Sequence, residues 1–267
     1  MAGTEYTIQG GRTDADRLAR QAEVMGSATT AFLVECGARP GAACLDVGCG
    51  TGQVTVDLAR LAGPGGRVVG VDIDPGELVI ARKAAADART AVTFARADAA
   101  EVLEPAAFDL AFARLVLSHL ADPVAVLRAM VTEVRPGGVV AVEDIYTPSL
   151  HADPPAPALD RLIEVYSATV RAHGGDPAIG PRLPALLASV GLDDVHERTV
   201  VNRMTTTREK LFLAELVDNM RAATVAAGVA TPDEVDALRA AVAAAAERPD
   251  TVFLQARMHQ VRGTRPG

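Results

Sequence analysis

The stretch Leu45–Gln53, LDVGCGTGQ, is a short apolar run that ends in an acid and then in three glycines at alternate positions. A glycine-rich turn after a strand commonly brings the backbone close to a bound nucleotide, because glycine has no Cβ to collide with the ligand. The class of nucleotide that the turn accepts therefore decides what the chain does.

Two phosphate-binding loops are excluded by the residues around these glycines. An NTPase loop needs a Lys and then a Ser or Thr after its last glycine, whereas Gln53 follows Gly52. A dinucleotide-binding turn, G-x-G-x-x-G, needs a third glycine where this chain has Gln53, and Asp46 would be a poor neighbour for a pyrophosphate. S-adenosylmethionine fits better, because it has no phosphate and its ammonium and sulfonium groups are cationic.

Composition restricts the partners of the chain. The 267 residues contain 34 acids and 26 bases, a net charge of −8, with 3% aromatic residues and no Trp. A nucleic-acid partner requires basic patches and stacking aromatics, so we expect none. No run of about 18 apolar residues occurs, so we also expect no membrane span.

The compartment is predicted from the cysteines and from the start of the chain. Cys36, Cys44 and Cys49 are odd in number and form no C-x-x-C pair, which favours reduced thiols. The opening MAGTEYTIQGG lacks the basic and apolar regions of an export signal. These features predict a cytoplasmic protein.

The central part of the chain alternates strand-like and helical patterns, which predicts βαβ units and a parallel sheet. The predicted strands are almost continuously apolar, as expected when both faces are covered, and span 43–47, 67–72, 91–98, 108–114 and 138–146. The predicted helices between them span 53–62, 75–88 and 123–134.

The flanks add helices and two further strands. An amphipathic segment, 14–35, precedes the core, and a Pro-rich joint, 149–157, follows it. Helices are expected around 159–172, 183–190 and 208–227, and a fourth begins at a capping box, Thr231 to Glu234. Strand-like runs at 194–204 and 251–261 could complete the sheet as an antiparallel edge pair.

The predicted fold is thus a doubly wound, seven-stranded, Rossmann-like α/β sheet with helical covers at both ends. We assign residues 1–40 to an N-terminal cover and 41–148 to a cofactor-binding core. Residues 149–267 complete the sheet, with a helical insert at about 205–248 on the substrate side.

The loop and the elements after it resemble the class I S-adenosylmethionine-dependent methyltransferases. LDVGCGTGQ resembles their first motif, and VVGVD, ARADAAEV, FDLAFARLVLSHLADP and EVRPGGVVAVED resemble the elements that follow, in the family's order. The resemblance covers about 41–146. It implies S-adenosylmethionine as the cofactor and a doubly wound sheet as the fold.

The resemblance also implies which residues contact the cofactor. Asp72 matches the acid that binds both ribose hydroxyls, and Ile73 follows it. Asp98 and Ala99 match the side chain and backbone that read the adenine, although Asp98 could instead cap the next turn. The remaining cofactor residues of the core are Asp46, Gly48, Gly50, Arg114, Leu115 and His119.

The flanks resemble, more loosely, small-molecule methyltransferases of ubiquinone and menaquinone biosynthesis and their secondary-metabolite relatives. In that group an N-terminal Tyr and a helix with R-L-x-x-Q cover the cofactor, which implies roles for Tyr6 and Gln21. The segment 174–192 resembles a substrate-side loop and helix of the same group.

Three residues are candidates for proton transfer. His119, after the fourth strand, could act as a general base or simply line the cofactor pocket. Asp144 and Tyr146, which leave the fifth strand, face the acceptor side in the family, and Glu143 alternates to the other face. No metal site is expected, because no carboxylate cluster can be assembled.

The predicted reaction is transfer of a methyl group to a small, partly apolar acceptor by in-line attack on the sulfonium methyl. Alignment of the two reactants supplies about 7–11 kcal/mol, so a strong base is not obligatory. The alternative is an enzyme of the same fold that binds the cofactor and catalyses a cyclisation or rearrangement without methyl transfer. The helical covers could support a homodimer.

Overall fold

The computed structural model describes residues 27–267. Its first helix, α1, spans 27–35 within that range. The other elements follow in chain order: β1 (Ala43–Val47), α2 (Gln53–Ala62), β2 (Arg67–Asp72), α3 (Pro75–Asp87), β3 (Thr93–Arg96), β4 (Phe108–Arg114), α4 (Pro123–Glu133), β5 (Val134–Tyr146), β6 (His151–Asp153), α5 (Pro157–Ala172), α6 (Leu183–Ser189), β7 (Asp193–Val200), β8 (Arg203–Met204), α7 (Thr207–Ala226), α8 (Pro232–Glu247), β9 (Val252–Leu254) and β10 (Arg257–Thr264).

The main sheet of the described chain has seven strands in the order β3-β2-β1-β4-β5-β10-β7. The first five strands are parallel to one another, and β10 is antiparallel to both β5 and β7. The strand order reverses between β1 and β4, where doubly wound sheets bind their ligands. The predicted fold class, including the antiparallel pair at one edge, is confirmed.

Local sequence signals explain where the helices begin. Helix α3 has Pro75 in its first turn, and the Asp74 side chain accepts a hydrogen bond from the Gly76 amide at 2.7 Å. Helix α8 begins with the predicted capping box, in which Thr231 and Glu234 satisfy each other's backbone amides. These caps fix the helix starts within one or two residues of the prediction.

The entry to β5 differs from the expectation. The sequence predicts a helix to residue 134 and a turn through 136–138, but the strand already begins at Val134. Val134 pairs with Phe108 and Val139 pairs with Leu110, so the residues between them bulge from the ladder. Gly137, with φ +77°, permits this bulge, and its amide bonds to the carbonyl of Arg265 at 2.8 Å.

Each of the two late strand-like runs splits into two strands. The run 194–204 forms β7 and β8, and the run 251–261 forms β9 and the first part of β10. Strands β8 and β9 leave the main sheet and form a three-stranded sheet with β6, in the order β6-β9-β8. Where the chain passes between the main sheet and the small sheet, the Asn202 Nδ2 donates a hydrogen bond to the Gln255 Oε1 at 2.9 Å.

Helices α5, α7 and α8 pack together with this small sheet, and we call this group the helical layer. Its buried residues form one apolar cluster that includes Phe212, Val217 and Phe253, and Ile145 at the end of β5 packs against it. Two other clusters lie on the two faces of the main sheet. The domain boundaries at residues 40 and 148 stay predictions. Among the helices of residues 27–267, none has the length and apolar character needed to cross a membrane.

Candidate active site

The carboxyl ends of the parallel strands meet at one edge of the main sheet, as the βαβ topology requires. The segments that leave this edge carry the predicted site residues of the described chain. They are the glycine loop after β1 and the exits of β2, β3, β4 and β5. Tyr6 and Gln21 lie outside the described residues.

The glycine loop adopts a backbone that other residues reach only with strain. Gly48, Gly50 and Gly52 have φ values of +67°, +50° and +80°. A Cβ on Gly48 would lie 2.5 Å from a methyl group of Val116, and one on Gly52 would lie 2.9 Å from the Cβ of Ala81. The loop therefore requires glycine for its conformation and for its packing.

Asp72 orients this loop from the end of β2. Its Oδ2 accepts a hydrogen bond from the Gly50 amide at 2.8 Å, and its Oδ1 accepts one from the Asp74 amide at 2.9 Å. The side chain is half-buried, and Ile73 beside it is exposed. A carboxylate oxygen can accept a second hydrogen bond, so Asp72 can still receive hydroxyl groups from a ligand.

Asp46 lies beneath the loop and is buried. Its Oδ2 accepts a hydrogen bond from the Thr55 hydroxyl at 2.6 Å. Burial raises the pKa of Asp46 to about 7, although the Thr55 bond and the positive charge of Arg114 act in the opposite direction. A cation bound nearby would stabilise the ionised form of Asp46 and so lower its pKa.

The exit of β3 leaves both interpretations of Asp98 open. Asp98 is exposed and Ala99 is half-buried. The Asp98 Oδ1 accepts a hydrogen bond from the Ala100 amide at 2.9 Å, which is the geometry of a capped turn. Its other oxygen can reach a ligand, so adenine recognition stays a prediction.

The exit of β4 has an unusual backbone. Leu115 has φ +56°, a strained value for a non-glycine residue, and its amide bonds to the Glu143 carbonyl at 2.8 Å. This turn leads to a 3₁₀ segment, Leu117–His119, that places His119 where only 6% of it is exposed. Burial lowers the pKa of His119 to about 4, so the imidazole is neutral at neutral pH.

The two remaining candidates, Asp144 and Tyr146, lie at the exit of β5 in different environments. Asp144 is fully buried, and its carboxylate accepts hydrogen bonds from the Ser118 amide at 3.0 Å and its own neighbour Ile145 at 2.9 Å. Burial raises its pKa to about 6. Tyr146 is half-buried. These contacts indicate that Asp144 connects β5 to the segment after β4 rather than accepts a proton. Its catalytic role stays a prediction.

Glu143 is a buried residue of this edge to which the sequence analysis gave no role. Its Oε1 accepts a hydrogen bond from the Thr29 hydroxyl of α1 at 3.0 Å. Alternation along β5 predicts that Glu143 faces away from Asp144, and the structure agrees, since Glu143 contacts α1 while Asp144 contacts the segment after β4. An acid within an apolar strand was the signal that could have identified it.

No group of three or more potential metal ligands occurs in the described part of the chain. The polar groups of residues 27–267 at this edge instead include carboxylates, backbone groups, the His119 imidazole and the guanidinium groups of Arg96 and Arg114. This set can orient a small, partly cationic molecule, but it contains no Lys at the loop that could hold a triphosphate.

Comparison with known proteins supports the resemblance to methyltransferases that the sequence indicates. A methyltransferase-domain family model matches residues 38–173. Methyltransferase str2 of Strobilurus tenacellus is 33% identical over 68% of this chain and 65% of its own length. A ubiquinone biosynthesis O-methyltransferase of Xanthomonas campestris is 32% identical over 51% of this chain and 55% of its own length. The chain thus spans less than two thirds of the length of these curated relatives.

The fold is also shared with solved structures. The [4+2]-cyclase SpnF superposes with a TM-score of 0.58 over 98% of this chain and 85% of its own, at 19% identity. This likeness concerns the fold. The family match covers the glycine loop and the exits of all five parallel strands, and the resemblance found in the sequence is confirmed: the chain belongs to the methyltransferase-domain family.

Proposed function

We propose that the protein is an S-adenosylmethionine-dependent methyltransferase that acts on a small molecule. The observation that carries the proposal is the bond between Asp72 and the Gly50 amide, with Asp46 buried directly beneath the same loop. This arrangement provides carboxylates for hydroxyl and cationic groups, and a backbone without Cβ atoms for close approach. Both match a phosphate-free adenosine compound with a positive charge.

When bound, S-adenosylmethionine would supply its sulfonium methyl group: an acceptor lone pair would attack the methyl carbon in line as the carbon–sulfur bond breaks, and S-adenosylhomocysteine would leave. The residues of the chain hold and align the reactants. Asp72 receives the ribose hydroxyls, Asp98 and the Ala99 backbone receive the adenine, and the loop excludes water from one side. Alignment of this kind supplies about 7–11 kcal/mol of the barrier.

His119 is the best-placed candidate to accept the acceptor's proton. Because burial keeps its imidazole neutral, His119 can take a proton without first losing one. Tyr146, which is half-buried, could orient the acceptor, whereas the Asp144 carboxylate is already occupied by backbone amides. An acceptor such as a phenol or enol would need only modest help.

The class of acceptor is proposed from the helical layer and from the relatives. The layer follows the carboxyl end of β5, and Ile145 at that end packs against its buried apolar cluster. The curated relatives carry the names of a ubiquinone biosynthesis O-methyltransferase and of methyltransferase str2. A partly apolar small molecule agrees with both, and a nucleic acid does not agree with the net charge of −8.

Calorimetry and isotope transfer test this proposal. The purified chain should bind S-adenosylmethionine and S-adenosylhomocysteine, and it should bind neither NAD nor ATP with comparable affinity. Methyl-labelled S-adenosylmethionine should pass its label to a member of a panel of phenols, enols and amines. Binding of NAD or ATP in place of both adenosyl compounds would refute the proposal.

The second candidate function is a cyclisation or rearrangement that uses the bound sulfonium as a fixed charge. The superposition with the cyclase SpnF favours keeping this candidate, since it shows that the fold accommodates such chemistry. Product formation without label transfer would identify it. The expected cytoplasmic location and the homodimer stay predictions, and fractionation of cells and sedimentation of the purified chain would test them.

A further inference from the structure

A row of four polar side chains crosses the main sheet beneath α1. Arg114 on β4 is the register partner of Glu143 on β5, Glu143 is the partner of Gln260 on β10, and Gln260 is the partner of Arg198 on β7. Register partners on neighbouring strands project to the same face, so the four side chains form a continuous line. We call this line the polar row.

The polar row is bonded to the first described turn of α1. The Thr29 hydroxyl donates to the Glu143 Oε1 at 3.0 Å and accepts from the Arg114 Nη1 at 3.4 Å. At the far end, Gln260 Nε2 and Arg198 Nη2 each donate to the Ala28 carbonyl at 3.3 Å. Thr29 therefore links the Arg114 guanidinium to the Glu143 carboxylate.

Glu143 is costly for the fold in this position. Only 1% of the residue is exposed, and its Oε2 has no hydrogen-bond partner among residues 27–267. Burial raises its pKa, and the charge of Arg114 is the first of the effects that oppose the rise. A buried, incompletely bonded carboxylate costs several kcal/mol, which an apolar residue would avoid. The compensation available here is electrostatic, through the neighbouring Arg114.

Arg114 lies at the edge where the ligand is proposed to bind. It is half-buried, and it is close enough to Asp46, beneath the glycine loop, to lower the pKa of that acid. Within the described chain, its guanidinium makes one hydrogen bond, the long one to Thr29. As far as residues 27–267 are concerned, most of its five N–H donors can therefore bond to a ligand carboxylate.

The strand order places Arg114 at a suitable distance from the adenosine end. Asp72 ends β2, Asp98 follows β3, and β4 lies beyond β1 in the sheet. Two strand spacings, about 10 Å, separate β2 from β4. The amino-acid tail of the cofactor extends from the ribose and can span this separation over the glycine loop.

Resting on the proposed function, we propose that Arg114 binds the α-carboxylate of the cofactor and that Glu143, acting through Thr29, is a positioning residue that aims the Arg114 guanidinium. A carboxylate and a guanidinium form a charge-assisted, bidentate pair when the guanidinium plane is held in place. Thr29 and Glu143 supply that restraint from α1 and β5.

The test compares two ligands that differ only in the carboxylate. Calorimetry measures binding of S-adenosylhomocysteine and of its decarboxylated analogue, S-adenosyl-3-thiopropylamine, to the full chain and its variants. Arg114→Ala should weaken S-adenosylhomocysteine binding about 10- to 100-fold and leave the analogue within about twofold. Glu143→Ala and Thr29→Val should show the same selectivity at about 3- to 10-fold.

Two further variants separate positioning from folding. Glu143→Gln keeps an acceptor for Thr29 and should recover most of the lost affinity. Arg198→Ala, at the far end of the polar row, should lower the melting temperature without changing the affinity ratio of the two ligands. The double variant Arg114→Ala/Glu143→Ala should be no weaker than Arg114→Ala alone, because Glu143 acts through Arg114.

The outcomes that overturn the inference differ from those that overturn the proposed function. If the unmodified chain binds neither ligand, the proposed function fails. If it binds S-adenosylhomocysteine and Arg114→Ala weakens both ligands equally, or neither, this inference alone fails. If Glu143→Ala does not fold, Thr29→Val provides the test of positioning. Equal weakening of both ligands by Thr29→Val would show that Thr29 and Glu143 have a purely structural role.

Discussion

The glycine loop after β1 and the helical layer after β5 both follow the carboxyl ends of strands, but different contacts stabilise them. The loop depends on positive φ angles and on bonds from backbone amides to Asp72. The layer depends on apolar burial, with Lys210 as a buried exception whose ammonium bonds to the carbonyls of Arg248 and Thr251.

This difference explains why the cofactor is easier to infer than the acceptor. The positive φ angles and close contacts of the loop allow few residue types, so the sequence of the loop is easy to recognise. In the layer, many combinations of Ala, Leu and Val fill the same volume, because cores tolerate volume-conserving exchange. If the layer faces the acceptor, as proposed, it indicates the polarity of the acceptor but not its structure.

The largest expected effect comes from a substitution in the loop. Gly48→Ala combines a positive φ with a Cβ 2.5 Å from Val116, so it should displace the loop and reduce S-adenosylhomocysteine affinity more than about 100-fold. Gly41→Ala is the matched control, since Gly41 has φ +84° but no atom within 4 Å of a Cβ. Equal losses in the two variants would mean that the Val116 contact is irrelevant.

The second prediction concerns the acid beneath the loop. The folded-state pKa of Asp46 is raised to about 7, so its contribution to stability is complete below pH 4 and is lost as the pH rises toward 7. Asn at this position does not titrate. In urea unfolding without cofactor, Asp46→Asn should therefore gain stability relative to the original chain between pH 4 and 7, by at most about 4 kcal/mol. A constant difference would contradict the raised pKa.

The third prediction tests whether the layer faces the acceptor. Leu216 is half-buried at the border of the layer, whereas Met220 is fully buried within it. Leu216→Ser should raise the acceptor KM about 3- to 10-fold at an unchanged cofactor affinity, because it removes apolar contact area. Met220→Ser should mainly lower the unfolding free energy, by about 2–4 kcal/mol. Val79→Ser, at an exposed site on α3, is the control. An unchanged KM would place α7 away from the acceptor.

The smallest expected effect comes from a helix cap in the layer. Thr231→Ala removes the side-chain oxygen that accepts from the Glu234 amide and should lower the unfolding free energy by about 1 kcal/mol. S-adenosylhomocysteine affinity should not change, since the cap belongs to the helical layer, whose apolar cluster is separate from those on the main sheet. A matching loss of affinity would show that the layer and the loop are coupled more tightly than their separate clusters indicate.

The sequence predicted the parallel strands and the glycine loop because their signals are local. A continuous apolar run such as RVVGVD identifies a buried strand, and Asp72 at its end falls at the sheet edge by topology alone. The antiparallel pair at the edge of the sheet was predicted as well, although the order of its two strands was not.

What the sequence did not reveal depends on tertiary contacts. The break between β7 and β8 occurs inside a continuous strand-like run, and Asn202 at the break bonds to Gln255, which is distant in the chain, through both side chains and backbone. The strained turn at Leu115 carries no glycine as a signal. An acid within an apolar strand marks Glu143 as unusual, but its bond with Thr29, which is distant in the chain, could not be predicted from a local pattern.

The small sheet has a consequence for how such a protein can diversify. Met204 on β8 and Phe253 on β9 are paired neighbours, so helices α7 and α8 depart from and return to adjacent points about 5 Å apart. Because the two ends of this segment lie next to each other, recombination could exchange the segment without altering the register of the main sheet. Chimeras joined at 204 and 253 would show whether the choice of acceptor follows this segment.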